Sequence, residues 1–225
     1  VVIGLTALAA TAVIGAYLHV QPGPNPIDHL GFDIIGSETN SSLFHRVTWF
    51  GTLLPLVVGS AGAAILAAFA GTRDRWRALA CLLAPILAAT VNEFWIKPVV
   101  GRPYFGELSF TSGSVVVVAG VSAAWVLAVP RMLRIVAATV GFLAVVMMVF
   151  AVVALQWHYP SDALAGALFA VGMVVLVDGT AHVMSDRLSA TRRAGRSRAR
   201  GHQRPGAGRV ELARSHQAAQ HSAEG

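Results

Sequence analysis

The feature that most limits what this chain can fold into is the grouping of its apolar residues into long blocks that charge scarcely interrupts. Residues 1–20 (VVIGLTALAATAVIGAYLHV) contain no Asp, Glu, Lys or Arg, and neither does the stretch from Val47 to Thr72. Apolar runs of 18 residues or more need a bilayer around them rather than a protein core. Charged residues make up only 12% of the 225, about half the share in an ordinary soluble domain, which argues against a soluble globular enzyme. The net charge of +6 would fit a nucleic-acid binder only if it were spread over a folded surface, but nine of the seventeen Lys and Arg follow residue 186. The basicity therefore belongs to a tail, and that tail lacks the aromatic or helical patterning of a nucleic-acid interface.

Six blocks can be read as membrane helices. The first covers residues 1–20, with no charged segment ahead of it and no cleavage site behind it, which favours a span over a signal peptide. A connection with Pro22, Pro24, Pro26 and the acids Asp28, Asp33 and Glu38 reads as an interfacial loop. The second helix runs over 47–72 and the basic turn RDRWR (73–77) leads into the third, about 78–95. A Gly- and Pro-containing connection over 97–112 precedes the fourth helix (113–129), and a PRMLR turn leads to the fifth (135–155). The sixth, about 160–182, opens on Pro160, favoured in a first turn because its missing N–H costs nothing there. The expected fold is thus all-α, a polytopic six-helix transmembrane bundle over residues 1–184. Residues 185–225 are too poor in large apolar side chains to offset ordering entropy and are expected to be disordered. The lone Cys81 lies inside an apolar block and reads as a small buried hydrophobe.

Polar residues collect at one set of helix ends. Glu93 and Lys97 stand four apart on the third helix, and Arg102 follows on a Gly- and Pro-flanked loop. Phe110-Thr111-Ser112-Gly113-Ser114 opens the fourth helix, where unsatisfied N–H groups and the dipole favour an anion. Trp157-His158-Tyr159-Pro160-Ser161-Asp162 opens the sixth, with Asp162 placed to reach back to His158 and fix its tautomer. An oriented imidazole beside cations and free N–H groups suits a nucleophile or general base acting on phosphorus. The expected site is therefore His158 and Asp162 as catalytic residues, with Lys97, Arg102, Ser112, Gly113 and Ser114 binding the phosphate. His19 and His45 have neither a nearby acid nor ligand spacing and read as interface residues. No metal ligand set and no cofactor is implied. A transporter would carry ionisable groups near the bilayer midplane, whereas these sit at helix ends.

Over roughly residues 45–182 the chain resembles the type-2 phosphatidic acid phosphatases, or lipid phosphate phosphatases, six-helix membrane enzymes. Lys97 matches the lysine of the family's first motif, but the Arg-Pro six residues later reads Tyr104-Phe105. Ser112 and Gly113 match the Ser-Gly of its Pro-Ser-Gly-His, flanked here by Thr111 and Ser114. His158 and Asp162 match the third motif within WHYPSDALAG, whose preceding Ser-Arg reads Ala151-Val152. The resemblance implies hydrolysis of a lipid phosphate or polyprenyl diphosphate through a phosphohistidine on His158, with Asp162 orienting the ring and Arg102 standing in for a missing phosphate clamp. It also implies that Ser114 replaces the family's leaving-group acid. A catalytically impaired relative that binds a lipid phosphate head group, or serves as a membrane assembly partner, is the alternative the departures favour.

Lys and Arg fall unevenly between alternate connections: fourteen of the seventeen lie in the turn at 73–77, the turn at 131–134 and the tail. The positive-inside rule then places these in the cytoplasm and residues 97–112 and 157–162 outside, in a plasma membrane protein. Cysteines introduced into the tail should resist an impermeant thiol reagent in intact cells while one at residue 106 reacts; the reverse pattern would invert the topology.

Overall fold

A computed structural model describes the backbone of residues 1–69 and 75–203 and the side chains of residues 1–69 and 76–187. The chain is mostly helical: α1 (Val2–Val20), α2 (Pro26–Ile35), α3 (Ser42–Trp49), α4 (Leu53–Phe69), α5 (Arg75–Val91), a π turn (Asn92–Ile96), α6 (Lys97–Val100), α7 (Gly113–Ala128), α8 (Arg134–Ala154) and α9 (Pro160–Gln203). Between α6 and α7 a two-stranded antiparallel hairpin pairs β1 (Pro103–Tyr104) with β2 (Glu107–Leu108). Val1–His182 forms one compact unit, and the described backbone after it, residues 183–203, belongs to a second.

Among the described residues four helices are long and apolar enough to cross a membrane: Val2–Val20, Trp76–Val100, Arg131–Ala154 and Pro160–Arg187. Segments α3 and α4 meet at a 50° bend and make a fifth if the pair is one span. The block expected as one helix over 47–72 is thus two, and residues 70–74 lie outside the described residues. Helix α7 has 16 residues, about 24 Å at 1.5 Å per residue, which is shorter than a hydrocarbon core of about 30 Å. Several apolar helices of this kind suggest an integral membrane protein.

Two further expectations are corrected. The segment after Pro24 is helix α2, because Asn25 and Asp28 form a reciprocal capping box: the Asn25 side chain accepts from the N–H groups of Ile27 and Asp28, and Asp28 accepts from the Asn25 N–H. Proline at its first position completes the start signal. Helix α9 does not stop at the expected boundary but continues to Gln203, since Ala and Arg are strong helix formers even without an apolar face; residues 204–225 lie outside the described residues.

Helix α7 is the central element of the first unit. Ala124 and Ala128 meet Ala63, Ala67 and Cys81 of α4 and α5 in a cluster of small residues. Val116 and Ala119 pack with Ala88, Phe169 and Ala170, and Val115 packs with Met148, Val152, Val153 and Ala163. Small side chains let membrane helices approach closely enough for dispersion to hold them, where lipid removes the hydrophobic driving force. Cys81 sits in that packing, donating weakly to the Ala124 carbonyl at 3.7 Å. Helix α1 lies against α9 in the same manner: a Cβ on Gly4 would come within 2.9 Å of the Gly172 carbonyl oxygen. With α7 surrounded in this way, its N-terminus is brought to the ends of α5, α6 and α9.

Candidate functional site

The site is assembled where three connections meet. The π turn Asn92–Ile96 rotates the end of the third apolar segment, and buried Asn92 bonds Thr111 twice: its Nδ2 donates to the Thr111 carbonyl at 3.3 Å and its Oδ1 accepts from the Thr111 hydroxyl. Such π insertions commonly re-aim side chains at functional positions. Here the turn sets Glu93 beside Lys97, with Nζ 2.9 Å from Oε2 and 3.1 Å from Oε1. Gly101, at φ 64, closes α6 in the left-handed conformation that glycine adopts freely. The chain then enters the hairpin, whose return is fixed by the Ser109 N–H donating to the Arg102 carbonyl at 2.9 Å.

Arg102 is fully buried. Its Nε donates to the Pro22 carbonyl at 3.0 Å. Nη1 donates to the Ser161 hydroxyl at 2.8 Å and to Asp162 Oδ1 at 2.5 Å; Nη2 donates to the Gly23 carbonyl at 2.9 Å and to Asp28 Oδ2 at 2.7 Å. The guanidinium also lies 3.9 Å from the centre of the Tyr159 ring. A guanidinium has five N–H donors, and five acceptors are in place. The expectation that Arg102 clamps a phosphate is therefore corrected: it is a structural cation between two buried carboxylates. The expected Asp162–His158 contact is corrected with it, because Asp162 Oδ1 faces Arg102.

His158 is oriented instead by the backbone. Its Nδ1 lies 3.1 Å from the Ser109 carbonyl oxygen. A carbonyl only accepts, so Nδ1 carries the proton and the Nε2 lone pair is left available. Burial first, and the Lys97 cation second, lower the ring's pKa from 6.5 to about 4 against the opposing pull of the Ser109 carbonyl. The imidazole is consequently neutral at physiological pH. His158, Lys97, Tyr104, Glu107, Ser109, Gln156 and Trp157 line a cavity of about 380 Å³. Burial, then the neighbouring Tyr159, raises the Tyr104 phenol to about 12, so it remains an O–H donor there.

The remaining expected residues are divided. Gly113 stands next to the cavity: a Cβ on it would meet Glu93 Oε2 at 3.5 Å and Lys97 Nζ at 3.8 Å. Ser112 is buried as the N-cap of α7, its N–H donating to the Asp162 carbonyl at 3.3 Å, and its own hydroxyl makes no hydrogen bond. Ser114 packs against Gly51 at the α3–α4 bend, so its expected position in place of a leaving-group acid is corrected as well. The sequence reading missed Asp28, Ser109 and Asn92. Only Asp28 carried a legible signal, the Asn-x-x-Asp spacing of a capping box. His19 and His45 are held by backbone carbonyls, Nδ1 of His19 at 3.0 Å from Val100 O and Nε2 of His45 at 3.2 Å from Thr39 O. Among the described residues no group of three His, Cys, Asp or Glu is placed to hold a metal ion.

Comparison of the chain with protein-family models, curated proteins and solved structures finds no match.

Two outcomes follow from this geometry. Arg102→Leu should destabilise the protein by about 3–5 kcal/mol, the usual cost of stranding buried charges, read as thermal unfolding in detergent; an unchanged transition would refute the structural role. For His158, the unfolded ring binds a proton below pH 6.5 while the folded ring does so only near 4, so its contribution to stability is complete above 6.5 and is lost as pH falls through that window. Histidine ring NMR, assigned with His158→Gln, should show this midpoint near 4; a value near 6.5 would contradict the buried neutral state.

Proposed function

We propose that this chain is an integral membrane phosphohydrolase of the type-2 phosphatidic acid phosphatase class, built on six spans, that removes phosphate from a lipid phosphate or polyprenyl diphosphate at the extracytoplasmic face. The observation that carries the reading is the neutral His158, its Nδ1–H given to the Ser109 carbonyl and its ring lining the Lys97 cavity. Helix α7 takes the sixth span despite its 16 residues, since a helix packed on several sides can stop short of an interface.

In the proposed reaction the Nε2 lone pair attacks phosphorus and forms an N–P bond, while the P–O bond to the lipid breaks and its electron pair leaves on oxygen. Water then attacks the phosphohistidine, the N–P bond breaks with its electron pair returning to Nε2, the proton lost by the water passes to the departed lipid oxyanion, and inorganic phosphate departs. Lys97 and the N–H groups of Gly113, Ser114 and Val115, which precede the first helical hydrogen bond from Val116 to Ser112, offset the charge that develops on the phosphoryl oxygens. The Tyr104 O–H stands where the resembled family has a clamping arginine. Among the described residues no second histidine lines the cavity, and its one carboxyl group, Glu107, is exposed to solvent. Leaving groups that are stable as anions should therefore be preferred, because loss of a general acid costs about 10² to 10⁴ in rate for poor ones.

One observation favours a second reading, a head-group binder with little turnover. With Arg102 sequestered, Lys97 is the one cation lining the cavity among the described residues, and Glu93 pairs with it. The deciding assay is release of inorganic phosphate by the purified protein from a polyprenyl diphosphate and from phosphatidic acid at equal surface concentration. The enzyme reading expects the diphosphate to react faster and His158→Ala to release none. Binding of both lipids without release would establish the binder.

A further inference from the structure

Away from His158, the α3–α4 bend opens an apolar groove of about 640 Å³ lined by Val47, Trp49, Phe50, Leu54, Val121 and Met147 among others, within the size range of ligand pockets. A second cavity, formed by His45, Arg46, Trp49 and Phe50, shares two of those aromatic residues with the groove. Arg46 is exposed on α3, and among the described residues no acidic side chain pairs with it. The bend is what creates this arrangement. Gly51 lets the chain turn directly over α7, where a Cβ would come within 2.5 Å of the Ser114 Cβ, so α4 departs from the line of α3 and leaves the space between α4, α7 and α8 unfilled.

We propose that this surface binds one membrane lipid with an anionic head group, its head on Arg46 and one hydrocarbon chain in the groove. Charge and solvent argue for that occupant together. The Arg46 guanidinium, without an acidic partner among the described residues, shares its cavity with Trp49 and Phe50, the two aromatic residues at the head of the groove. Trp49 and Phe50, edge to face at 5.3 Å, mark the boundary between polar and apolar parts, where aromatic rings concentrate in membrane proteins. Below them the lining is almost wholly apolar, and in a bilayer the material that fills such a groove is a lipid chain. His45 packs edge-on against Trp157 of the His158 cavity, but neither Arg46 nor the groove residues line that cavity, and the proposal stands whether or not the protein is a phosphohydrolase.

The full chain in detergent is titrated with phosphatidylglycerol and with phosphatidylcholine, each brominated on its chains, and quenching of tryptophan fluorescence is followed. Wild type should show saturable quenching that Trp49→Phe reduces, Trp125 beside Gly59 of the groove giving the rest, with phosphatidylglycerol binding about fivefold tighter, the factor equivalent to roughly 1 kcal/mol for a basic residue at an anionic head group. Arg46→Gln should bring the two lipids to equal affinity. Ala144→Phe, which fills the groove from exposed α8, should abolish the saturable component while the thermal transition of the protein is retained. Equal affinity for both lipids in wild type would overturn the proposal, as would a fivefold preference that persists in Arg46→Gln or saturable quenching that survives Ala144→Phe.

Discussion

The buried ion cluster around Arg102 is the interaction on which the rest of the polar architecture depends. One guanidinium lies between Asp28 and Asp162, all three side chains without exposure. Burying these charges costs several kcal/mol each unless they are paired and hydrogen-bonded. The balance is met mostly by hydrogen bonds: Arg102 donates to two carboxylates, one hydroxyl and two carbonyls, and Asp28 also accepts from the Ser161 and Asn25 N–H groups, while Asp162 Oδ2 is buried without a hydrogen bond. The cluster ties the connection after α1, the start of α2, the loop after α6 and the first turn of α9 to one point. Those segments are far apart in sequence, and no apolar contact alone would fix their polar ends in register.

That anchoring determines the chemistry available at the cavity. With Asp162 committed to Arg102, the imidazole of His158 is aligned by a backbone carbonyl, and Ser109 is itself held by the Arg102 carbonyl at the base of the hairpin. A carbonyl fixes the tautomer as well as a carboxylate does, but it supplies no negative charge to support an imidazolium. Burial and the nearby Lys97 cation then keep the ring neutral, a state suited to a nucleophile and poorly suited to a proton donor. The proposed preference for diphosphate leaving groups follows from this and from the lack, among the described residues, of a second histidine lining the cavity.

Individual residues show how much of the site was legible in advance. The Glu93–Lys97 pair was readable because helical spacing of four brings side chains together regardless of their surroundings, and the π turn retains that pairing. The placement of His158 and Gly113 near Lys97 was readable from helix ends. The role of Arg102 was not, because a basic residue on a Gly- and Pro-flanked loop looks the same in sequence whether it points at a ligand or at buried acids. Asp28 was obscured because its partners lie 74 and 133 residues away, and Ser109 because its contribution is made by a backbone carbonyl that any residue type could offer.

What the sequence determined by itself is local: the charge-free apolar blocks, the proline that starts α9, and the starts of α7 and α8. These follow from composition over neighbouring residues, and hydrogen bonds within each helix satisfy the backbone wherever that helix lies. Tertiary structure alone decided the bend at Gly51, the partners of Arg102 and the orientation of His158. Each depends on which groups from distant segments compete for the same few donors, and that competition is settled only when the helices pack around α7.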